Sequence, residues 1–330
     1  MLETASTAAV ILPADTLEQV HALYGQGLYL QAYRLGNEVA PLRAWRGTAA
    51  RILAGRLAVN LGAPRLCWWH HAWAWRQDRH DPEACYYYAR AVCDRRGPWA
   101  GWKFVRACGD FDDAPAYFRA DWLAFRAGVV GRQRDFVTAE ALLDEAERLA
   151  PDRPWIKIER AAVLEHQDRY ADSLAAARHS LEIRPWYRPG VQSVAHALQL
   201  LDRDTEALEL LAEADQRLEC GLISAQLAVL QTELGRYADA ERSFERYAEL
   251  SPLLEKDVAT WLAARRSDTA YFLGDHARAA QHARQVEKDP FYASLPNACR
   301  RRRSRVSDTS CRWASCGSIT RPACPRRWRR

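Results

Sequence analysis

The densest group of side chains that could do chemistry lies between residues 67 and 85. Residues 67–71 read CWWHH, and His80 and Cys85 follow. Zinc needs four converging nitrogen or sulfur ligands, so Cys67, one of the two adjacent histidines, His80 and Cys85 form a candidate zinc site. Their spacings match no known zinc module. The alternative, which we favour, is a pair of divergent helical hairpins with buried cysteines and partly solvated histidines.

Five aromatic residues in the same region form a second candidate site: Trp68, Trp75, Tyr87, Trp99 and Trp102. Tryptophan and tyrosine are enriched at protein interfaces, so these residues could form an exposed patch for a partner. The alternative is packing between helices of hairpins whose sequences are unusual. We favour this second interpretation.

Glu165, His166 and His196 are the residues that most resemble an acid–base group. No nucleophile, glycine-rich phosphate loop or metal motif accompanies them in the sequence. We therefore interpret them as solvated groove residues. The sequence predicts a chain without catalytic residues, metal or cofactor.

A regular spacing of small residues indicates how these groups are positioned. Ala139, Ser173, Ala207 and Ala240 follow one another at intervals of about 34 residues, the period of a known helical repeat. Ala279 continues the series after one longer interval. A fixed period of this kind indicates one supersecondary unit stacked many times. Such an array favours a binding scaffold over an enzyme.

The clearest unit is 221–254. An apolar stripe predicts a first helix, Gly235 allows a tight turn, and a second stripe begins at Tyr237. Pro252 ends the unit because proline cannot continue a helix. Glycine, an aromatic residue, a small residue and proline at these offsets resemble the tetratricopeptide repeat (TPR).

The resemblance covers roughly residues 13–292 and is strongest over 120–254. It implies an all-α solenoid of about eight antiparallel helix hairpins, coiled into a right-handed superhelix. We expect four regions: an N-terminal arm (1–12), divergent aromatic-rich hairpins (13–119), TPR-like repeats (120–292) and a basic tail (293–330).

The tail differs in composition from the rest of the chain. Residues 291–330 contain eleven arginines and one acidic residue, so the net charge of +5 leaves about −5 for residues 1–290. The tail is either a disordered or functional basic segment or the product of a frameshift. In a shifted frame, residues 310–330 can be read as a segment that resembles the start of a C39-like cysteine peptidase. The alternative function is therefore the helical part of such a peptidase, without its catalytic domain.

In TPR arrays the first helix of each hairpin lines the concave face. The inward positions here are Arg132, Trp155, Glu165, His166, Gln192, His196, Gln199, Thr232 and Glu233. This mixture of charged, hydrogen-bonding and aromatic groups suits a protein or peptide. With four lysines in the chain, a TPR carboxylate clamp is not expected. We predict a cytoplasmic scaffold that binds a protein or peptide, and neither a specific nucleic acid nor a membrane.

Overall fold

The structure is a computed structural model that describes residues 9–286. Within these residues there are sixteen α-helices, a short 3-10 turn at 42–44 and two isolated β-bridges. The helices are α1 (Ala14–Gly25), α2 (Tyr29–Val39), α3 (Thr48–Asn60), α4 (Pro64–Gln77), α5 (Pro82–Arg96), α6 (Pro98–Cys108), α7 (Ala116–Gly131), α8 (Phe136–Leu149), α9 (Pro154–His166), α10 (Tyr170–Ile183), α11 (Arg188–Leu200), α12 (Asp204–Arg217), α13 (Gly221–Glu233), α14 (Tyr237–Glu249), α15 (Lys256–Phe272) and α16 (His276–Val286).

Consecutive helices pair into eight hairpins, which we number 1 to 8 from the N-terminus. The predicted all-α array of about eight hairpins is therefore confirmed. The right-handed coil and the boundary near residue 119 stay predictions. The tail, residues 293–330, lies outside the described residues. Within 9–286 no helix is long and apolar enough to cross a membrane.

The turn inside each of the last five hairpins contains one residue in the left-handed region. These residues are Arg134, Asp168, Asp202, Gly235 and Gly274, with φ between 58° and 81°. Each lies five positions before the small residue of the same hairpin, so the turns repeat with the period of the small residues. The turn geometry is thus kept even where a side chain makes it costly, because packing of the two flanking helices fixes it.

Small residues mark the closest approach of paired helices. Ala139, Ser173, Ala207 and Ala240 on the second helices are each at most 2% exposed. A larger side chain at any of these positions would separate the helices and open the contacts around it. Close packing of the paired helices therefore explains why small residues recur with this period.

The first hairpins also contact the last ones, which the period alone does not predict. In the loop between α14 and α15, Leu253 and Glu255 donate backbone hydrogen bonds to the carbonyls of Leu61 (3.1 Å) and Gly62 (2.9 Å). The acceptors lie in the turn between α3 and α4. We call this contact, together with its extension described next, the seam.

The seam continues along the turn of hairpin 1. The Arg184 guanidinium, just after α10, donates to the carbonyl of Gly25. Leu28 forms a parallel bridge with Glu219, between α12 and α13. Intra-hairpin turns of hairpins 1 and 2 therefore lie on the loops that connect hairpins 5 to 8.

Glu255 caps the start of α4 from a distant part of the sequence. Its carboxylate accepts the backbone N–H groups of Arg65 (2.7 Å) and Leu66 (2.9 Å). These donors have no partner within their own helix, and the residue before the helix, Ala63, has no side-chain acceptor. A negative charge at a helix N-terminus is also favourable.

Apolar packing runs across the same boundary. One hydrophobic cluster contains Leu12 and Leu57 from the N-terminal part and Val191, Leu211 and Leu230 from the later hairpins. The N-terminal hairpins thus share a core with hairpins 6 and 7.

We predict that Glu255→Ala destabilises the protein by about 1–2 kcal/mol, because two helix-start N–H groups lose their acceptor. Urea unfolding measures the change. Glu249→Ala, at an exposed position on α14, is the matched control and should change stability by about 0.5 kcal/mol or less. Equal effects of the two substitutions would show that the cap across the seam does not form.

Candidate binding site

Aromatic and charged side chains of hairpins 1 to 6 lie close to one another in one group. They come mainly from the first helix of each hairpin. The repeat pattern predicts that these first helices line the groove. We call the following set the inner cluster: Tyr24, Tyr29, Arg56, Tyr87, Arg90, Asp94, Asp121, Trp155, Glu159, Tyr187, Arg188 and Gln192.

Arg90 of α5 is the central contact of the inner cluster. Its guanidinium lies 4.4 Å from the ring centroid of Trp155 on α9 and donates to the hydroxyl of Tyr86 at 3.4 Å. Hairpins 3 and 5 therefore meet directly, across hairpin 4. A guanidinium on an aromatic face is stabilised by the ring's charge distribution, more so where water is partly excluded.

Arg56 and Arg188 occupy the side of the inner cluster nearest the seam. Arg56 lies 4.3 Å from the ring centroid of Tyr24 and 5.2 Å from that of Tyr87. Arg188 donates to the side chain of Gln192 at 2.6 Å, and Tyr29 is the phenol that acts most strongly on its charge. Burial acts to lower the pKa of both arginines, but the facing tyrosines outweigh it and raise both values.

The inner cluster also contains three carboxyl groups, which surround Arg90. Burial raises the pKa of Glu159 to about 7, although Arg132 and Arg90 act to lower it. Burial also raises the pKa values of Asp94 and Asp121. Gly128 leaves the space for Glu159, because a Cβ atom there would overlap the Glu159 carboxylate.

Trp155 and Gln192, both predicted as groove residues, are part of the inner cluster. Arg132 lies at its edge, where its charge acts on Glu159 and Asp94. His196 and Glu165, on neighbouring first helices, form a pair at 3.1 Å.

The other predicted residues lie farther along the first helices. His166 and Gln199 are near the ends of α9 and α11, and Thr232 bonds the carbonyl of its own helix at Ala228 (2.8 Å). Glu233, at the end of α13, is exposed. The role of all nine residues in binding stays a prediction.

Sequence reasoning missed the arginines that dominate the inner cluster. Arg56 and Arg90 lie one repeat period apart, so extending the repeat into the divergent hairpins would have identified them. Glu159 lies four positions after Trp155 and therefore on the same helical face. Tyr24 and Tyr29 carried no such signal, because contacts across the seam, and not the repeat period, bring them into the inner cluster.

The candidate zinc ligands do not converge. Sγ of Cys67 lies 3.6 Å from Nδ1 of His71, whose Nε2 lies 3.4 Å from the carbonyl oxygen of Ile52. Cys85 donates to the carbonyl of residue 79 and His80 is exposed. Within residues 9–286, no group of three or more histidine, cysteine or acidic side chains is arranged to hold a metal.

The favoured interpretation of this segment was wrong for its histidines. His70 and His71 are 0% and 5% exposed rather than partly solvated. Burial lowers the pKa of each to about 3, so both are neutral near pH 7. Gly55 on α3 makes room for the His71 ring, since a Cβ atom there would overlap it.

The aromatic residues of the same segment divide between packing and exposure. Trp75 stacks on Tyr88 with ring centroids 4.8 Å apart, as the packing interpretation predicts. Trp99 stacks on Trp102 but remains 57% exposed, as a surface patch would be. Packing therefore accounts for Trp75, whereas Trp99 is exposed and its role in binding a partner stays a prediction.

Comparison with known structures gives matches to helical-repeat proteins. TTC0263, a TPR protein of Thermus thermophilus, is 18% identical over 52% of this chain and 91% of its own, with a TM-score of 0.43. A monomeric IFIT1 mutant with m7Gppp-AAAA is 13% identical over 86% of this chain and 72% of its own, with a TM-score of 0.57. The human IFIT1 dimer with PPP-AAAA is 13% identical over 82% and 67%, with a TM-score of 0.52.

The fold is a TPR-like α-solenoid. At these identities the likeness concerns the fold alone. No protein-family model and no curated protein matches the chain. The comparisons do not support the C39-like peptidase hypothesis, and residues 310–330, which suggested it, lie outside the described residues.

We predict that Gly55→Ala destabilises the TPR-like array by about 1–3 kcal/mol, because the added methyl group displaces the buried His71 ring. The matched control is Gly25→Ala, also on a first helix, where a Cβ atom meets nothing within 4 Å. Chemical denaturation of both variants measures the difference. Equal stabilities would contradict the packing of His71 against α3.

The pKa of Glu159 predicts a pH dependence of stability. Its ordinary value is 4.5, so between pH 4.5 and 7 the folded protein binds more protons than the unfolded chain, and this carboxyl makes the protein less stable as pH rises. Glu159→Gln should therefore stabilise the protein by about 1–2 kcal/mol at pH 8 and by little below pH 4.5.

Urea unfolding across this pH range measures the effect. Glu182→Gln, at an exposed position on α10, controls for the loss of one negative charge. A stability difference between Glu159→Gln and wild type that is the same at pH 4.5 and pH 8 would contradict the environment assigned to Glu159.

Proposed function

We propose that this chain is a non-catalytic scaffold that binds a protein or peptide segment through the inner cluster. The observation that carries the proposal is the presence of guanidinium, carboxylate, indole and phenol groups together on the first helices. An extended peptide offers backbone donors and acceptors along its length, and side chains of either charge, to such a surface.

Unmet hydrogen-bonding capacity supports the proposal. The Nε1 atom of Trp155 and the Nε atom of Arg188 are buried and have no hydrogen-bond partner among the described residues. Leaving such donors without a partner costs free energy, and in a binding protein this cost is recovered when the ligand supplies acceptors.

The charge balance favours a polypeptide over a nucleic acid. Arg90, the central arginine of the inner cluster, lies among Asp94, Asp121 and Glu159, and residues 1–290 carry a net charge of about −5. Binding a phosphate backbone needs a surface that is predominantly positive. The RNA-containing IFIT1 structures therefore resemble this chain in fold, and we do not extend their ligand to it.

The test is position-resolved photo-cross-linking of the full chain. A photoreactive phenylalanine analogue is placed at Trp155 or, as a control, at Val137, which is 83% exposed on α8. The probe is a mixture of random-sequence peptides of about 12 residues, long enough when extended to span about 40 Å. We expect cross-linked peptide at position 155 and little at position 137.

Equal cross-linking at the two positions would contradict binding at the inner cluster. A second arm uses a short oligoadenylate RNA with a 5′-phosphate. RNA that cross-links at position 155 in place of peptides would overturn the proposed partner class.

A further inference from the structure

The seam side of the inner cluster contains two guanidinium groups joined by tyrosines. The Arg56 guanidinium contacts Tyr24, the ring of Tyr24 lies 5.0 Å from that of Tyr29, and Tyr29 is the phenol that acts most strongly on Arg188. Asn60 adds an amide donor, 3.4 Å from the Tyr24 hydroxyl. We call these five residues the arginine–tyrosine corner.

Neither guanidinium of the corner forms an ion pair. Within residues 9–286, no carboxylate oxygen lies within 4 Å of a side-chain nitrogen of Arg56 or Arg188, and Glu83 acts on Arg56 only from beyond that distance. The groups that act most strongly on Arg188 are phenols and a thiol, which are ordinarily uncharged near pH 7. The half-buried Asp121 also acts on Arg56 only from beyond that distance, and its own carboxylate is paired with Arg153 at 3.1 Å.

Holding two unpaired positive charges in a partly buried site is unfavourable unless an anion joins them. Both arginines are half-buried as whole residues rather than fully buried. The planar guanidinium forms two parallel hydrogen bonds with a carboxylate, which makes this pairing strong and directional.

We propose that the arginine–tyrosine corner binds a carboxylate of the peptide that occupies the inner cluster. This inference rests on the proposed function and adds the chemistry of its ligand. The carboxylate belongs either to an acidic side chain or to the peptide's C-terminus. The site differs from a lysine-based clamp, because its groups come from α1, α2, α3 and α11 and meet only when the seam is closed.

One consequence concerns the seam itself. Arg56 and Asn60 belong to hairpin 2, Tyr24 and Tyr29 to hairpin 1, and Arg188 to hairpin 6. A carboxylate held by both arginines would bridge the two sides of the seam. Ligands with the carboxylate therefore stabilise the array more than neutral ligands do.

The test starts from peptides that cross-link at position 155. Each is resynthesised with its acidic side chains changed to amides, and separately with a C-terminal amide, and its affinity is measured by fluorescence anisotropy. We expect one of these changes to weaken binding to the wild-type chain by about 10-fold. Which change does so identifies the source of the carboxylate.

Arg188→Gln provides the second half of the test. It should weaken binding of the carboxylate peptide by about 10-fold more than it weakens binding of the neutralised peptide. Arg188→Lys should restore part of the loss. Arg178→Gln is the matched control, since Arg178 is about half exposed on α10 and forms a surface ion pair.

Thermal unfolding establishes that each variant folds, and Tyr29→Phe provides a milder perturbation if Arg188→Gln does not. Carboxylate and neutral peptides that bind the wild-type chain equally would overturn the inference, as would an Arg188→Gln variant that weakens both equally. In either case the proposed function stands. The absence of any bound peptide would instead overturn the proposed function and this inference with it.

Discussion

Backbone hydrogen bonds from Leu253 and Glu255 to the turn at Leu61 and Gly62 are the contact on which the inner arrangement depends. A solenoid of hairpins needs contacts only between neighbours, and its two ends are free to separate. Here the turns of hairpins 1 and 2 lie against the loops between hairpins 5 and 8, and one apolar core continues across the boundary. Side chains from six hairpins are consequently brought into one group.

The polar groups of the inner cluster reduce the free energy of unfolding, and this cost indicates a role other than stability. Carboxyl groups there have raised pKa values, two guanidinium groups have no ion-pair partner, and buried donors of Trp155 and Arg188 lack acceptors among the described residues. The rings also serve packing, since Tyr29 belongs to a hydrophobic cluster and Trp155 and Tyr87 pack against others, but the guanidinium and carboxyl groups are not part of these clusters. Polar groups retained at such a cost are typical of a binding surface.

Local patterns in the sequence predict most of this fold. The hairpins and their turns repeat with a common period, and helix ends follow from glycine and proline within a few positions. Even the left-handed turn residues Arg134 and Asp168 occupy the positions that glycine takes in later units. The period predicts which helices face inwards, and Trp155 and Gln192, which it assigns to the groove, both belong to the inner cluster.

The rest follows from contacts between distant segments. The seam joins residues about 190 positions apart, and nothing in the local pattern of Tyr24, Tyr29 or Glu255 indicates a partner at that separation. The buried histidines were mispredicted for a related reason, because the cavity for His71 is created by the absence of a side chain at Gly55 on another helix. Repeat periodicity indicates which neighbouring helices pack together. It cannot indicate the contact between the first and last hairpins across the seam.

Hydrogen exchange of individual backbone amides tests most directly whether the seam closes the array, that is, whether its hydrogen bonds form. Loop amides and amides in the first turn of a helix ordinarily exchange fast, because they have no partner. Closure predicts slow exchange for Leu253 and Glu255 in their loop and for Arg65 and Leu66 at the start of α4. Exchange of these four amides at the rates of an unprotected loop, while amides inside the helices stay protected, would show that the array is open.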